Sequence, residues 1–169
     1  MKIGNKTINY SIYADKRRIG DTKDVQLPSV EYLTDTLKGS GIIGEVDLPS
    51  SYQASSMTLT ISNRVSNDPE DIAALLSCKD IEIRWVTDVI ETTDASLSAI
   101  GHKAFIKGML KKADEGKLEP GAGQDGSYEF EVFYYKRVTN GKTVFEIDKL
   151  NGIFNINGQD KTRNINDLL

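Results

Sequence analysis

A glycine-spaced loop, a pair of glutamates two residues apart, one histidine, one cysteine and one tryptophan are the residues here that could do chemistry. Gly39, Gly41 and Gly44 satisfy the GxGxxG spacing of dinucleotide-binding turns. That turn works only between a strand and a helix, whose N-terminus then faces pyrophosphate. Here Val46-Asp-Leu-Pro49 follows and opens no useful helix. Glu129 and Glu131 share one face of a predicted strand and could form an acid/base pair for glycoside hydrolysis. No cleft-building insertion accompanies them, so a solvated face is the expectation.

His102 is the one histidine, so a triad or metal cluster would depend on it. No Ser/Asp arrangement with a recognisable elbow surrounds it, and a structural histidine at a strand end is expected. Cys78 is the one cysteine, which excludes an intrachain disulfide and a cysteine-based zinc site. It reads as a small packing residue. Trp85 and seven tyrosines could suggest a carbohydrate platform, but Trp85 is in phase with Ile81 and Ile83 and is expected in the core. Asn5-Lys6-Thr7 matches a glycosylation acceptor and has no meaning without secretion. The expectation is a protein that is not an enzyme, with no cofactor, no metal and no catalytic residue.

The 169 residues suit a single domain spanning 1–169. With 21 basic and 25 acidic residues the net charge is −4 and the pI near 5.1, which argues against specific nucleic-acid binding. No apolar stretch is long enough to span a bilayer, and MKIGNKTINYSIY lacks the apolar core of a signal peptide. A reducing cytoplasm is the expected place of synthesis.

The elements that would position these residues are mostly strands. Thr7–Ala14 alternates, with Ile8, Tyr10 and Ile12 on one face. An extended region runs from Asp24 to about Thr36, with Pro28 at an edge or bulge. Met57, Leu59 and Ile61 mark a core strand, as do Ile81, Ile83, Trp85 and Val89. A further strand is predicted over 102–111, then a Gly/Pro-rich crossing over 115–126. NDPEDIAALLSC predicts one short helix, capped by Asp68, with Ile72, Leu75 and Leu76 buried and Glu70, Ala74 and Ser77 outward. One helix among about seven strands is an antiparallel all-β domain.

In the last ribbon, Asn140-Gly141 predicts a two-residue turn that pairs Thr139 with Lys142. Continued without interruption, that register puts Phe130, Val132, Tyr134, Phe145 and Ile147 on one face. Glu129, Glu131, Phe133, Tyr135, Arg137, Val144, Glu146 and Asp148 take the other. A longer loop would exchange the partner strand's faces.

This run, YEFEVFYYKRVTNGKTVFEIDKLNGIFNINGQDKTRNINDLL, resembles the end of major tail tube proteins of contractile-tail phages and of R-type tailocin inner tubes. The resemblance extends through KGSGIIGEVDLPSSYQASSMTLTIS and KAFIKGMLKKADEGKLEPGAGQDGSYEF, so it covers nearly the whole chain; KKADEGKLEPGAGQDG departs from the pattern as a local elaboration. It implies a β-sandwich or barrel-like protomer in hexameric rings whose strands join into a continuous β-barrel. Stacked rings would form the inner tail tube of a phage or phage-tail-like bacteriocin, a channel for DNA or ion passage. An extended loop at about 35–50 and a C-terminal tail at about 157–169 are part of this expectation. Further implied partners are a sheath protein, baseplate and tail terminator proteins, and a tape measure protein in the lumen. Assembly would take place in the bacterial cytoplasm, before incorporation in a phage tail or released tailocin.

Three surfaces follow. The loop Leu37, Lys38, Gly39, Ser40, Gly41, Ile42, Ile43, Gly44, Glu45 and Val46 is expected to stack rings, because ordering mobile glycines needs an interface. Glu70, Asp71, Ala74 and Ser77 are expected to face the sheath. Glu129, Glu131, Glu146 and Asp148 are expected to give an acidic, weakly adhesive lumen. Two alternatives remain open: a type VI secretion-like tube protein, and a monomeric β-sandwich binding module with an exposed aromatic patch.

Overall fold

The computed structural model describes residues 1–65 and 67–169, with residue 51 as backbone only. Its strands are β1 (Lys2–Ala14), β2 (Arg17–Ile19), β3 (Thr22–Gln26), β4 (Tyr32–Leu37), β5 (Val46–Ala54) and β6 (Thr58–Asn63). After helix α1 (Pro69–Ser77) come β7 (Asp80–Glu91), β8 (Leu97–Asp114), β9 (Ser127–Thr139), β10 (Lys142–Asp148), β11 (Ile153–Ile156) and β12 (Gln159–Asp160). A one-turn helix α2 (Arg163–Asn166) follows. The fold is all-β and antiparallel, with two short helices where the sequence predicted one.

Ten strands form one sheet in the order β12-β11-β10-β9-β8-β7-β1-β2, with β6 also on β9 and β3 on β6. The branch occurs because β9 changes partners: Ser127–Glu131 pairs with β6, and Tyr134–Thr139 pairs with β10. The sheet therefore folds over itself. Val25 and Leu27 come to lie across from Tyr10, Ile83 and Trp85, and α1 adds Leu75 and Cys78 to the core. Phe130, Ile12, Met57, Leu59, Ile61, Ile106 and Val132 are fully buried in it. The alternations at Met57-Leu59-Ile61 and Ile81-Ile83 select this face because one-sided burial fixes strand register. Trp85 is in phase with them but only half-buried.

Several predicted boundaries change. The extended region after Asp24 is two strands, since buried Pro28 supplies no ladder N–H and β3 stops at Gln26. The 35–50 loop is largely a hairpin, with Leu37 ending β4, Val46 opening β5 and only 38–45 between them. β8 is longer than predicted, so His102 lies inside it rather than at its end. The expected tail over 157–169 pairs Gln159 and Asp160 with β11 and then turns into α2.

In α1 the buried stripe is rotated. Asp68 caps by accepting from the Glu70 N–H at 2.9 Å, and Pro69 fills the first position. The inward residues follow i, i+3, i+4, i+7 spacing through Asp71, Ala74, Leu75 and Cys78. Leu76 is exposed, and Ala74 faces inward, not outward. The polar anchor sets the rotation: Asp71 accepts from Arg17 Nε at 2.8 Å and from the Gly20 N–H at 3.0 Å.

Candidate functional site

The fold puts the residues that suggested catalysis on different elements, with Glu129 and Glu131 together on β9, His102 on β8 and Cys78 at the end of α1. Gly39, Gly41 and Gly44 lie at the tip of the β4–β5 hairpin, with a strand rather than a helix after them. Glu131 accepts from Ser56 Oγ at 2.8 Å and from Lys111 Nζ at 3.2 Å. Desolvation pushes its pKa up, but the Ser56 and Lys111 bonds and the charges of Lys111 and Lys149 outweigh it and hold the carboxyl below its ordinary range. A general acid needs the opposite shift. Cys78 is buried, with its thiol pushed up to about 12 by desolvation, reinforced by the charges of Asp15 and Asp80. It is a poor nucleophile.

His102 sits between Thr87 Oγ1 at 2.9 Å and Thr139 Oγ1 at 3.1 Å, stacked on Trp85 at 5.1 Å. Burial, then repulsion by Arg137, lowers its pKa from the ordinary histidine value. The unfolded chain therefore takes up this proton first as pH falls, so the linked destabilisation is absent above the ordinary histidine range and grows below it. Replacing His102 with Gln should flatten the fall in melting temperature between about pH 7.5 and 5.5, a window above carboxylate titration. An unchanged slope would show that His102 does not carry it.

What the fold leaves exposed is apolar surface on the β4–β5 arm. Among the described residues β4 and β5 pair only with each other, and one face of this arm carries Asp35, Leu37, Val46 and Leu48, as the pairs Leu37↔Val46 and Asp35↔Leu48 show. Leu37, Val46 and Leu48 are 49%, 48% and 58% exposed, and Ile43 at the tip is fully exposed. A two-stranded hairpin with no core of its own is marginal in water. Leu33, Leu48 and Tyr52 belong to this exposed set and were not singled out in the sequence. The alternation of Val46 and Leu48 was the available signal.

The four carboxylates Glu129, Glu131, Glu146 and Asp148 do share one face, although the register predicted for them is interrupted twice. Thr139 pairs with Lys142 across the Asn140-Gly141 turn, but Val144 is then bulged and Phe145 faces Arg137. In β9, Phe133 is passed over between the pairs Lys107↔Tyr134 and Gly108↔Val132. Each bulge exchanges faces once, so the two cancel for the carboxylates. They do not cancel for the residues between. Tyr135 enters the core and packs edge-on to Phe145 at 4.9 Å, while Arg137 joins that side. Tyr134 moves to the carboxylate face and donates to Glu146 Oε1 at 3.0 Å. Burial first, then this bond and the charges of Glu146 and Asp148, pushes the Tyr134 phenol up to about 12. Lys107 and Lys136 share the face, over the rings of Tyr134 and Phe105.

On α1, Glu70 and Ser77 are exposed, whereas Asp71 and Ala74 are turned inward. Arg17 also reaches Asp68 at 3.1 Å and Glu70 at 2.9 Å, so the acidic first turn carries its own counter-charge.

Comparison with known proteins gives a family and a fold. A family model described as phage tail tube protein FII matches residues 5–169. The tail tube protein of Escherichia phage P2 is 24% identical over 144 residues, covering 84% of this chain and 83% of that protein. Two solved structures share the fold. One is an extracellular contractile injection system, PVC sheath-tube complex in the extended state, with TM-score 0.52, 9% identity, and coverage of 77% of this chain and 88% of the other. The second is the PVC sheath/tube terminator in the extended state, with TM-score 0.50, 11% identity, and coverage of 78% and 94%.

Proposed function

Since the chain belongs to the phage tail tube protein FII family, we propose that it is the repeating subunit of a contractile particle's inner tube, built as stacked hexameric rings. The coreless β4–β5 arm is the observation that carries this reading, because its apolar face has no use in a lone protomer. Ring closure is supported by β1, whose outer edge is covered, among the described residues, by β2 only over Ile12–Ala14. An open strand edge of that length is an aggregation hazard unless a neighbouring copy pairs with it. The whole of 1–169 acts as one tube domain in this reading, with a structural and not an enzymatic role.

The arm segment from Leu37 to Val46 joins successive rings. The carboxylate face of β9 and β10 lines the lumen, through which DNA or ions pass and which a tape measure protein fills during assembly. Lys107, Lys111 and Lys136 lie among those carboxylates, so the channel is mixed in charge rather than purely acidic. Alternating signs still leave no basic stripe for phosphates to settle on, so no specific nucleic-acid binding is expected. Glu70 and Ser77 on α1 offer contact to a sheath protein, and the tube ends meet baseplate and terminator proteins. Assembly occurs in the bacterial cytoplasm, ahead of incorporation in a phage tail or tailocin.

Sedimentation and negative-stain microscopy of the purified protein, alone and coexpressed with its particle partners, test the reading. Rings or tubes are expected. A protein that stays monomeric at high concentration in both settings overturns it. A density map of the sheathed tube tests the finer assignments, which fail if the four carboxylates lie outside the channel or α1 lies away from the sheath.

A further inference from the structure

The side of the sheet that forms the core continues past the cover of β3 into a patch of Tyr10, Trp85, His102 and Arg137, placed together by the pairs Tyr10↔Trp85, Trp85↔His102 and Ala104↔Arg137. All four are half-buried. Arg137 lies over the Trp85 ring at 5.4 Å, and its Nε is buried with no hydrogen-bond partner. Among the described residues the guanidinium makes no ion pair or hydrogen bond at all. Asp24, the one carboxylate on the groove between Tyr10, Val25, Leu27 and Trp85, does not pair with it. The Tyr10 hydroxyl is a second buried polar group without a partner. Such groups cost free energy unless the finished assembly completes their surroundings.

The same chain displays a complementary surface. On the arm, Asp35 lies on the face of Leu37, Val46 and Leu48 and makes no ion pair or side-chain hydrogen bond among the described residues. The arm is not seated on its own patch. Its base holds Tyr32 edge-on to Phe154 of β11 at 5.9 Å, four strands from Trp85 and so roughly 19 Å away at the usual strand spacing.

The geometry points to the arm of a second copy lying across this patch, with Leu37, Val46 and Leu48 over Tyr10, Val25, Leu27 and Trp85 and the Asp35 carboxylate on Arg137. This deepens the stacking role proposed for the arm and rests on that reading. A guanidinium held over an indole with its Nε unpartnered is well placed for a carboxylate, and the pair is strengthened as the apolar residues exclude water.

Charge exchange tests the pairing. Arg137→Glu and Asp35→Arg are each expected to lower sedimentable tube by about tenfold or more while circular dichroism stays native, and the double variant is expected to restore tubes. Single variants that assemble like the parent chain, or a double variant no better than folded singles, overturn the pairing and leave the tube reading standing. A parent chain that builds neither rings nor tubes with its partners removes that reading and the pairing with it. Should either charge reversal misfold, the chain carrying Asp35→Cys and Arg137→Cys is oxidised as assembled tubes. An interprotomer disulfide ladder on a non-reducing gel is expected, buried Cys78 staying out of it, and tubes without a ladder overturn the proposal.

Discussion

Removing residues 39–43 is expected to leave a folded protomer that no longer grows tubes. The deletion leaves Lys38, Gly44 and Glu45 between the last arm pair, Leu37↔Val46, enough to close a hairpin by a short loop. Nothing in the core is lost, since 38–45 adds no buried side chain. What is lost is the exposed Ile43 and the reach of a tip in which Gly41 and Gly44 adopt φ near +89°. Ordering a flexible tip costs about 1–2 kcal/mol per residue, and in a lone subunit nothing offsets that. Circular dichroism and thermal unfolding should match the parent chain, and microscopy should show rings or protomers in place of tubes. Tubes of ordinary length would show that the tip does not join rings.

Gly108→Ala is expected to be the most damaging small substitution in the sheet. Gly108 pairs with Val132 at the point where β9 passes over Phe133, and there the two backbones approach closely. A Cβ at position 108 would stand 2.3 Å from the Glu131 carbonyl oxygen, a backbone atom of a strand that β6 holds along its other edge, so it cannot swing aside. The strands must separate or the bulge must move. A move would return Tyr135 and Arg137 to the carboxylate face and carry Tyr134 into the core. A cost of about 3 kcal/mol is expected, at the upper end for overpacking, and a fall in melting temperature of roughly 6–12 °C for a chain of this size. Gly101→Ala on the same strand meets nothing within 4 Å and serves as the control, with a change within about 0.5 kcal/mol. Equal melting temperatures for the two variants would mean that the bulge yields without cost.

The bulges also explain what could be read without the structure. Each segment with strong local periodicity was legible: the Met57-Leu59-Ile61 strand, Asp68 and Pro69 at the start of α1, and the Asn140-Gly141 turn. The tail-tube family was legible too, carried by long motifs in order along the chain. That Val46-Asp-Leu-Pro49 opens no helix after Gly39, Gly41 and Gly44 was legible too, and β5 stands there. Burial of one face, backbone hydrogen bonding and capping are local demands, and local sequence meets them.

Other features depended on contacts between distant segments. A bulge has no signature of its own in the alternation of YEFEVFYYKRVT, so the exchange of Tyr134 with Tyr135 and the move of Arg137 needed β6, β8 and β10 together. The rotation of α1 that hides Asp71 and Ala74 and exposes Leu76 was decided by Arg17 and Gly20, more than fifty positions away along the chain. The sequence by itself determined that this chain makes strands, that a tight turn falls at Asn140-Gly141, and to which family it belongs. Which faces remained open for another copy was decided only when β9 divided its edge between two partners, because a side chain's exposure is set by whatever the rest of the fold places over it.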